Sequence, residues 1–246
     1  MYYPTFEEIQ HLRDIEMASP ERNGRPLLPF YCDILADMET PVSAYCKTAQ
    51  KPYSFLLESV TGGEHVARYS FIGIDPYMVM IHRNDQATLL HMSGARDTNA
   101  RTTQMEEIAC HDPLAFIETE LGQYRLVNAP NRSSDELPEF YGGAVGYLSY
   151  DSVARFERLS VAKQNELDLP LAVFCFTETV LAFDHARHRV RIVTHMHLDA
   201  PDLAVEYQRC TTILDDVQMR LRQPVRLPVE PAPIHDAAAL QVTSNR

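Results

Sequence analysis

The chain has 246 residues, 45% of them hydrophobic, enough to bury a core in one large globular domain or two modest ones. Its formal net charge of -12 argues against nucleic-acid or anionic-membrane binding, since both need a basic face, and no run approaches the roughly 18 apolar residues of a bilayer span. The N-terminus MYYPTFEEIQ lacks a signal peptide's basic start and apolar stretch, and the five cysteines are scattered and never in CxxC spacing. A cytoplasmic protein with reduced, mostly buried thiols is expected, with neither a disulfide framework nor a zinc ribbon.

In chain order, Thr5-Phe6-Glu7-Glu8 reads as a capping box, with Ile9 and Leu12 at helical spacing, and predicts a helix over about residues 5 to 17. Leu28 to Ile34 reads as extended, and Thr40 with Pro41 opens a short helix that ends near Lys47. Tyr53 to Met92 reads as four short strands in an antiparallel meander, separated by Gly, Pro, Asn and Asp. Asp112-Pro113 starts a helix with a stripe of Leu114, Ile117, Leu121 and Tyr124, and a polar loop runs from Asn128 to Glu139. Phe140 to Tyr150 reads as a glycine-rich strand, Leu171 to Phe183 as a long buried one, and Arg189 to Leu198 as a half-exposed one. The clearest helix runs from Asp202 to Arg222, with Leu203, Tyr207, Cys210, Leu214, Val217 and Leu221 on one face.

These elements predict an α+β fold of antiparallel sheets with flanking helices over residues 1–222. From Gln223 onward Pro224, Pro228, Pro231 and Pro233 mark a linker over 223–246, which reaches the cap-type residues Thr243-Ser244-Asn245. A further domain is expected beyond it.

The chemistry concentrates between Lys51 and Pro76. Tyr53 to Leu57 and Arg68 to Ile74 read as a hairpin around Thr61-Gly62-Gly63, with Glu58, Ser59 and Arg68 at one end. Glu58 suits an ammonium, Ser59 a hydrogen bond and Arg68 a carboxylate, which together suit a zwitterion. A hairpin with a solvated tip uses the same residues, and both readings stay open at this level.

Other candidates are weaker. Gly142-Gly143-Ala144-Val145-Gly146 has neither nucleotide-loop spacing and reads as strand glycines at a bulge or close approach. His195 and His197 alternate with Val190, Ile192 and Met196 and share a face with Arg189 and Arg191. They read as solvent-side residues beside cations, not as metal ligands, and His185 and His188 add no better set. Ser59, Ser149 and Ser152 lack a nucleophile-elbow context, while Glu106-Glu107 and Asp215-Asp216 read as solvated helical or loop positions. No catalytic residue and no metal ligand is assigned.

Four segments in order carry a family resemblance: TPVSAYCK (Thr40 to Lys47), PYSFLLESVTGGEHVARYSFIG (Pro52 to Gly73), FYGGAVGYLSYD (Phe140 to Asp151) and LAFDHARH (Leu181 to His188). Over about residues 5 to 222 the chain resembles the N-terminal region of anthranilate synthase component I. The resemblance implies the first committed step of tryptophan biosynthesis, in which chorismate and ammonia give anthranilate and pyruvate. It also implies a magnesium ion, a glutamine amidotransferase component II that supplies the ammonia, and feedback inhibition by L-tryptophan.

The family's LLES motif stands here as Leu56-Leu57-Glu58-Ser59, which implies Leu57 against the indole and Glu58 and Ser59 at the amino-acid head. Arg68 joins them as carboxylate partner from the hairpin argument alone. The family's chorismate contacts, acid-base groups and magnesium ligands belong to a C-terminal half that this sequence lacks. The resemblance therefore implies an inactive chain that needs the chorismate-binding half in cis or in trans. It further implies open sheet edges, apolar surface and poor solubility. Two readings remain beside it: a stand-alone tryptophan-binding module without catalysis, and the N-terminal part of aminodeoxychorismate synthase component I.

Overall fold

The computed structural model describes residues 1–18, 23–49, 52–58, 68–93, 102–128, 137–155, 157 and 169–225. Helix α1 (Phe6–Met17) starts where the sequence signals it: Thr5 Oγ1 accepts the Glu8 N–H, and the Glu8 carboxylate accepts the Thr5 N–H at 2.7 Å. Helix α2 (Pro41–Thr48) repeats the device with Thr40 and Ser43, which bond each other's backbone N–H at 3.1 and 2.9 Å. Asp112 and Asp202 cap α3 (Pro113–Gly122) and α4 (Leu203–Leu221), each accepting two N–H bonds of the first turn.

The strands form two sheets. The first holds six strands in the order β2 (Phe55–Leu57), β3 (Tyr69–Ile74), β10 (Thr179–Asp184), β11 (Arg189–His197), β1 (Arg25–Leu35) and β7 (Tyr124–Leu126). All its pairings are antiparallel except that of β1 with β7, which is parallel. The second is fully antiparallel, in the order β6 (Thr102–Ala109), β5 (Gln86–Ser93), β4 (Met78–Arg83), β9 (Ala172–Thr177) and β8 (Gly143–Leu148). The fold is thus α+β, with antiparallel sheets and four α-helices among the described residues.

Leu28, Phe30, Ile72, Leu181, Phe183 and Ile192 line the inner face of the first sheet. They pack against Ile9 of α1, Ala44 of α2 and Cys210, Leu214, Val217 and Leu221 of α4. A smaller core joins Met78, Met80, Leu89 and Phe176 of the second sheet to Phe116 and Ile117 of α3.

Several expectations change. The four strands between Tyr53 and Met92 are not one meander: β2 and β3 join the first sheet, and β4 and β5 the second. The run from Leu171 to Phe183 is likewise two strands, because the chain leaves one sheet and enters the other at the single residue Glu178. Strand β11 is buried on both faces from Val190 to Met196, since α4 covers one side and the residues leading into β8 cover the other. Helix α3 turns Phe116 and Ile117 inward and leaves Leu114 and Leu121 partly exposed, so its apolar stripe is rotated from the one expected.

Glu106 and Glu107 lie on β6, an edge strand the sequence did not signal. Among the described residues the outer edge of β8 has no strand beside it, and Tyr147 and Leu148 there are more than one-third exposed. No described helix is long and apolar enough to cross a membrane. The expected turn at Thr61-Gly62-Gly63, most of the loop up to Glu139 and the linker beyond Val225 lie outside the described residues.

Candidate functional site

Strand β2 has three residues, Phe55–Leu57. Leu56 points into the main core, while Phe55 and Leu57 take the opposite face, across from Gly73 and Phe71 of β3. Phe55 lies directly over Gly73: a Cβ built there would stand 2.1 Å from two ring carbons. The glycine is a close-approach position. Phe140 meets this pair from above, with its ring centroid 6.2 Å from that of Phe55 and 5.4 Å from that of Phe71, the latter edge-on. Tyr69 stacks on Phe71 at 5.8 Å. Leu57, 44% exposed, therefore sits beside an aromatic row, and Glu58 follows it on the exposed end of the strand. Ser59 lies outside the described residues.

Arg68 opens the return strand. Its Nε and Nη2 donate to the two Asp184 carboxylate oxygens at 3.2 and 2.8 Å, and its guanidinium carbon stands 4.8 Å from the Tyr69 ring centre. Its carbonyl accepts the His185 N–H at 3.0 Å, closing the ladder between β3 and β10. Burial alone would raise the Asp184 carboxyl. The bond and charge of Arg68, the N–H of Arg187 and the charge of Arg189 outweigh it and hold the group below the usual carboxylate value.

Further along the same face Asp33 accepts from Arg191 twice at 2.7 Å and from Arg189 at 3.1 Å, and Arg191 stacks over Tyr31. Between this charge ladder and Pro138 lies a cavity of about 10 Å³, room for a water molecule and not for an amino acid.

A second polar cluster sits where the chain changes sheets. Glu178 faces His197 and Arg209, each at 3.5 Å, and Arg209 also donates to Glu206 at 2.6 Å and to the His195 carbonyl at 2.7 Å. His195 bonds the Glu178 carbonyl through Nδ1 at 3.0 Å, and burial pushes its pKa down. His195 and His197 do share a face with Arg189 and Arg191 as expected. That face is largely covered, so His195 bonds a backbone carbonyl and His197 faces the Glu178 carboxylate instead of both pointing into solvent. The described residues contain no group of three His, Cys, Asp or Glu arranged to hold a metal ion.

None of the five cysteines is in a disulfide, and burial raises the thiols of Cys32 to about 12 and Cys175 to about 11, which leaves both inert.

No family profile matches the chain. Curated proteins do. Anthranilate synthase component 1 of Acetivibrio thermocellus is 32% identical over 81% of this chain and 35% of its own length. The probable anthranilate synthase component 1 of Schizosaccharomyces pombe is 39% identical over 79% of this chain and 32% of its own. The chain is a relative of anthranilate synthase component I. It spans about a third of the length of these curated relatives. A crystal structure of anthranilate synthase component I from Streptococcus pneumoniae TIGR4 overlaps 75% of this chain and 36% of its own, with 18% identity and a TM-score of 0.42.

In this chain Leu56, Leu57 and Glu58 lie at the end of β2, and Arg68 directly precedes its neighbour β3. Sequence reasoning missed Asp184 and Phe140. Both lie in motif segments, but their partners are 116 and 85 or fewer positions away, and no local pattern encodes such pairings.

Proposed function

We propose that this chain is the N-terminal, tryptophan-sensing portion of a cytoplasmic anthranilate synthase component I, inactive until the chorismate-binding half joins it in cis or in trans. The observation that supports this most directly is Leu57 at the exposed end of β2, opposite Phe71 and beside an aromatic row, in a relative of anthranilate synthase component I. An indole ring suits such a surface, and Glu58 and Ser59 are the next two residues of the sequence, suited to the amino-acid head. Arg68 as carboxylate partner must share its guanidinium between Asp184 and the effector; five N–H donors make that sharing possible. The wall that would complete the pocket belongs to the other half, in keeping with the water-sized cavity on this face.

In the complete enzyme the anthranilate chemistry belongs to that other half. Component II supplies ammonia from glutamine, and the magnesium ligands also lie outside this chain. The described residues offer no cluster for that ion, and no step of the reaction is assigned to them.

The chain contains no tryptophan residue, so in a sample of this chain by itself added L-tryptophan is the sole indole and its fluorescence reports binding directly. Titration of the chain with and without a chorismate-binding half should show saturable binding that tightens in the joined form. Replacement of Ser59 by a bulky residue should weaken inhibition of the joined enzyme and leave turnover largely intact, because effector and chemistry are coupled through an equilibrium and do not share atoms. Activity of the joined enzyme that tryptophan never inhibits would refute the effector reading. A joined pair that makes aminodeoxychorismate would reassign the family branch. Tryptophan binding with no catalytic partner would favour the stand-alone module.

A further inference from the structure

We propose that Phe140 is a positioning residue that ties the effector strand β2 to β8 of the other sheet; the assignment rests on reading β2 as the effector strand. Strand β2 has three residues and among the described residues pairs only with β3, so its ladder alone fixes it weakly. Two side chains anchor it: Leu56 in the core, and Phe55 flat on the backbone of Gly73. Phe140 closes over Phe55 and makes an edge contact with Phe71, which stands opposite Leu57.

Only Tyr141 and Gly142 separate Phe140 from the start of β8, and both are packed against β11. Tyr141 stacks on His195 at 5.8 Å, and a Cβ at Gly142 would stand 2.5 Å from Cε1 of the same imidazole. The link from β2 to β8 therefore has little slack. A ligand seated on Leu57 presses the face that carries Phe55, and the displacement passes through Phe140 into a strand of the second sheet. A ring that merely filled a core would give a different result, a uniform loss of stability without a local effect.

The test is hydrogen exchange on the full chain, as wild type, Phe140→Ala and Phe140→Tyr, with and without L-tryptophan. Two aromatic contacts of this kind correspond to about a tenfold to hundredfold change, so β2 amides in Phe140→Ala should exchange faster by that factor while β4 and β5 amides do not change. Phe140→Tyr should restore the wild-type pattern. Tryptophan should slow exchange in β8 of the wild type and lose that effect in Phe140→Ala, with its affinity weakened about tenfold. Unchanged β2 exchange in Phe140→Ala, or equal acceleration in every strand, would overturn the proposal. Should Phe140→Ala fail to fold, Phe140→Leu replaces it under the same criteria. A wild type that binds no tryptophan would sink the effector reading, and with it the functional part of this one, while β2 exchange would still decide whether Phe140 positions the strand.

Discussion

Gly146→Ala perturbs the edge of the second sheet in a way that can be worked out from distances. Gly146 pairs with Phe174 in the β8–β9 ladder, and an added Cβ would stand 1.9 Å from the Val173 carbonyl oxygen and 2.7 Å from the Phe174 Cα. Both neighbours are backbone and cannot rotate away. Restoring an ordinary contact of 3.4 Å requires β8 to retreat by about 1.5 Å, which stretches the ladder bonds nearest to it. Since β9 is the only described neighbour of β8, the retreat is possible without opening the sheet interior. The cost should be about 2–3 kcal/mol, or a fall in melting temperature of about 5–10 °C for a chain of this size.

The assay is a pair of thermal and urea melts beside Gly122→Ala. Gly122 ends α3 with nothing within 4 Å of its virtual Cβ and should be neutral or stabilised by up to about 1 kcal/mol. A Gly146→Ala protein that melts within about 1 °C of wild type would refute the close-approach argument.

Asp184→Asn should destabilise the chain at neutral pH by about 1–2 kcal/mol, a modest figure because Arg68 is 36% exposed. The Asp184 pKa is depressed in the fold, so its contribution is present above the ordinary carboxylate pKa and fades as pH falls through the folded value; wild type and variant should converge in acid urea melts. His195 works in a different window. Its folded pKa lies below the ordinary 6.5, so the unfolded chain takes up the proton first and stability drops as pH falls below about that value. His195→Gln should flatten the slope of the urea midpoint near pH 6, and an unchanged slope would refute the assignment of that proton uptake to His195. Thr5→Ala removes the side-chain half of the α1 capping box and should lower stability by about 1 kcal/mol in the same melts.

The helices were legible because their signals are local. Thr5 with Glu8, Thr40 with Pro41, Asp112 and Asp202 each act within three residues, and each caps a helix in the structure. Strand existence was also legible for most of the chain, but sheet membership was not. Nothing in Leu171 to Phe183 reveals that Glu178 divides two sheets, because the sequence is predominantly apolar on either side of it. The alternation in Arg189 to His197 suggested a solvated face, and tertiary cover from Tyr141 and Gly142 overrode it. At the candidate site the residues at the end of β2 could be named from their motif. The ring that closes over them and the carboxylate that engages Arg68 come from chain segments that only folding brings close.

The placement of β1 has a consequence for biogenesis. Residues 27–35 find their long partner in residues 189–197, and until that stretch has been synthesised the other side of β1 has, among the described residues, just the three residues of β7 and a single bridge between Tyr31 and Tyr3. At usual translation rates the gap lasts roughly ten to thirty seconds, during which Leu28 and Phe30, both fully buried in the finished fold, belong to an incomplete sheet. The nascent chain therefore passes through an aggregation-exposed interval whose length is written into strand order, and slower synthesis lengthens it while chaperone occupancy shields it.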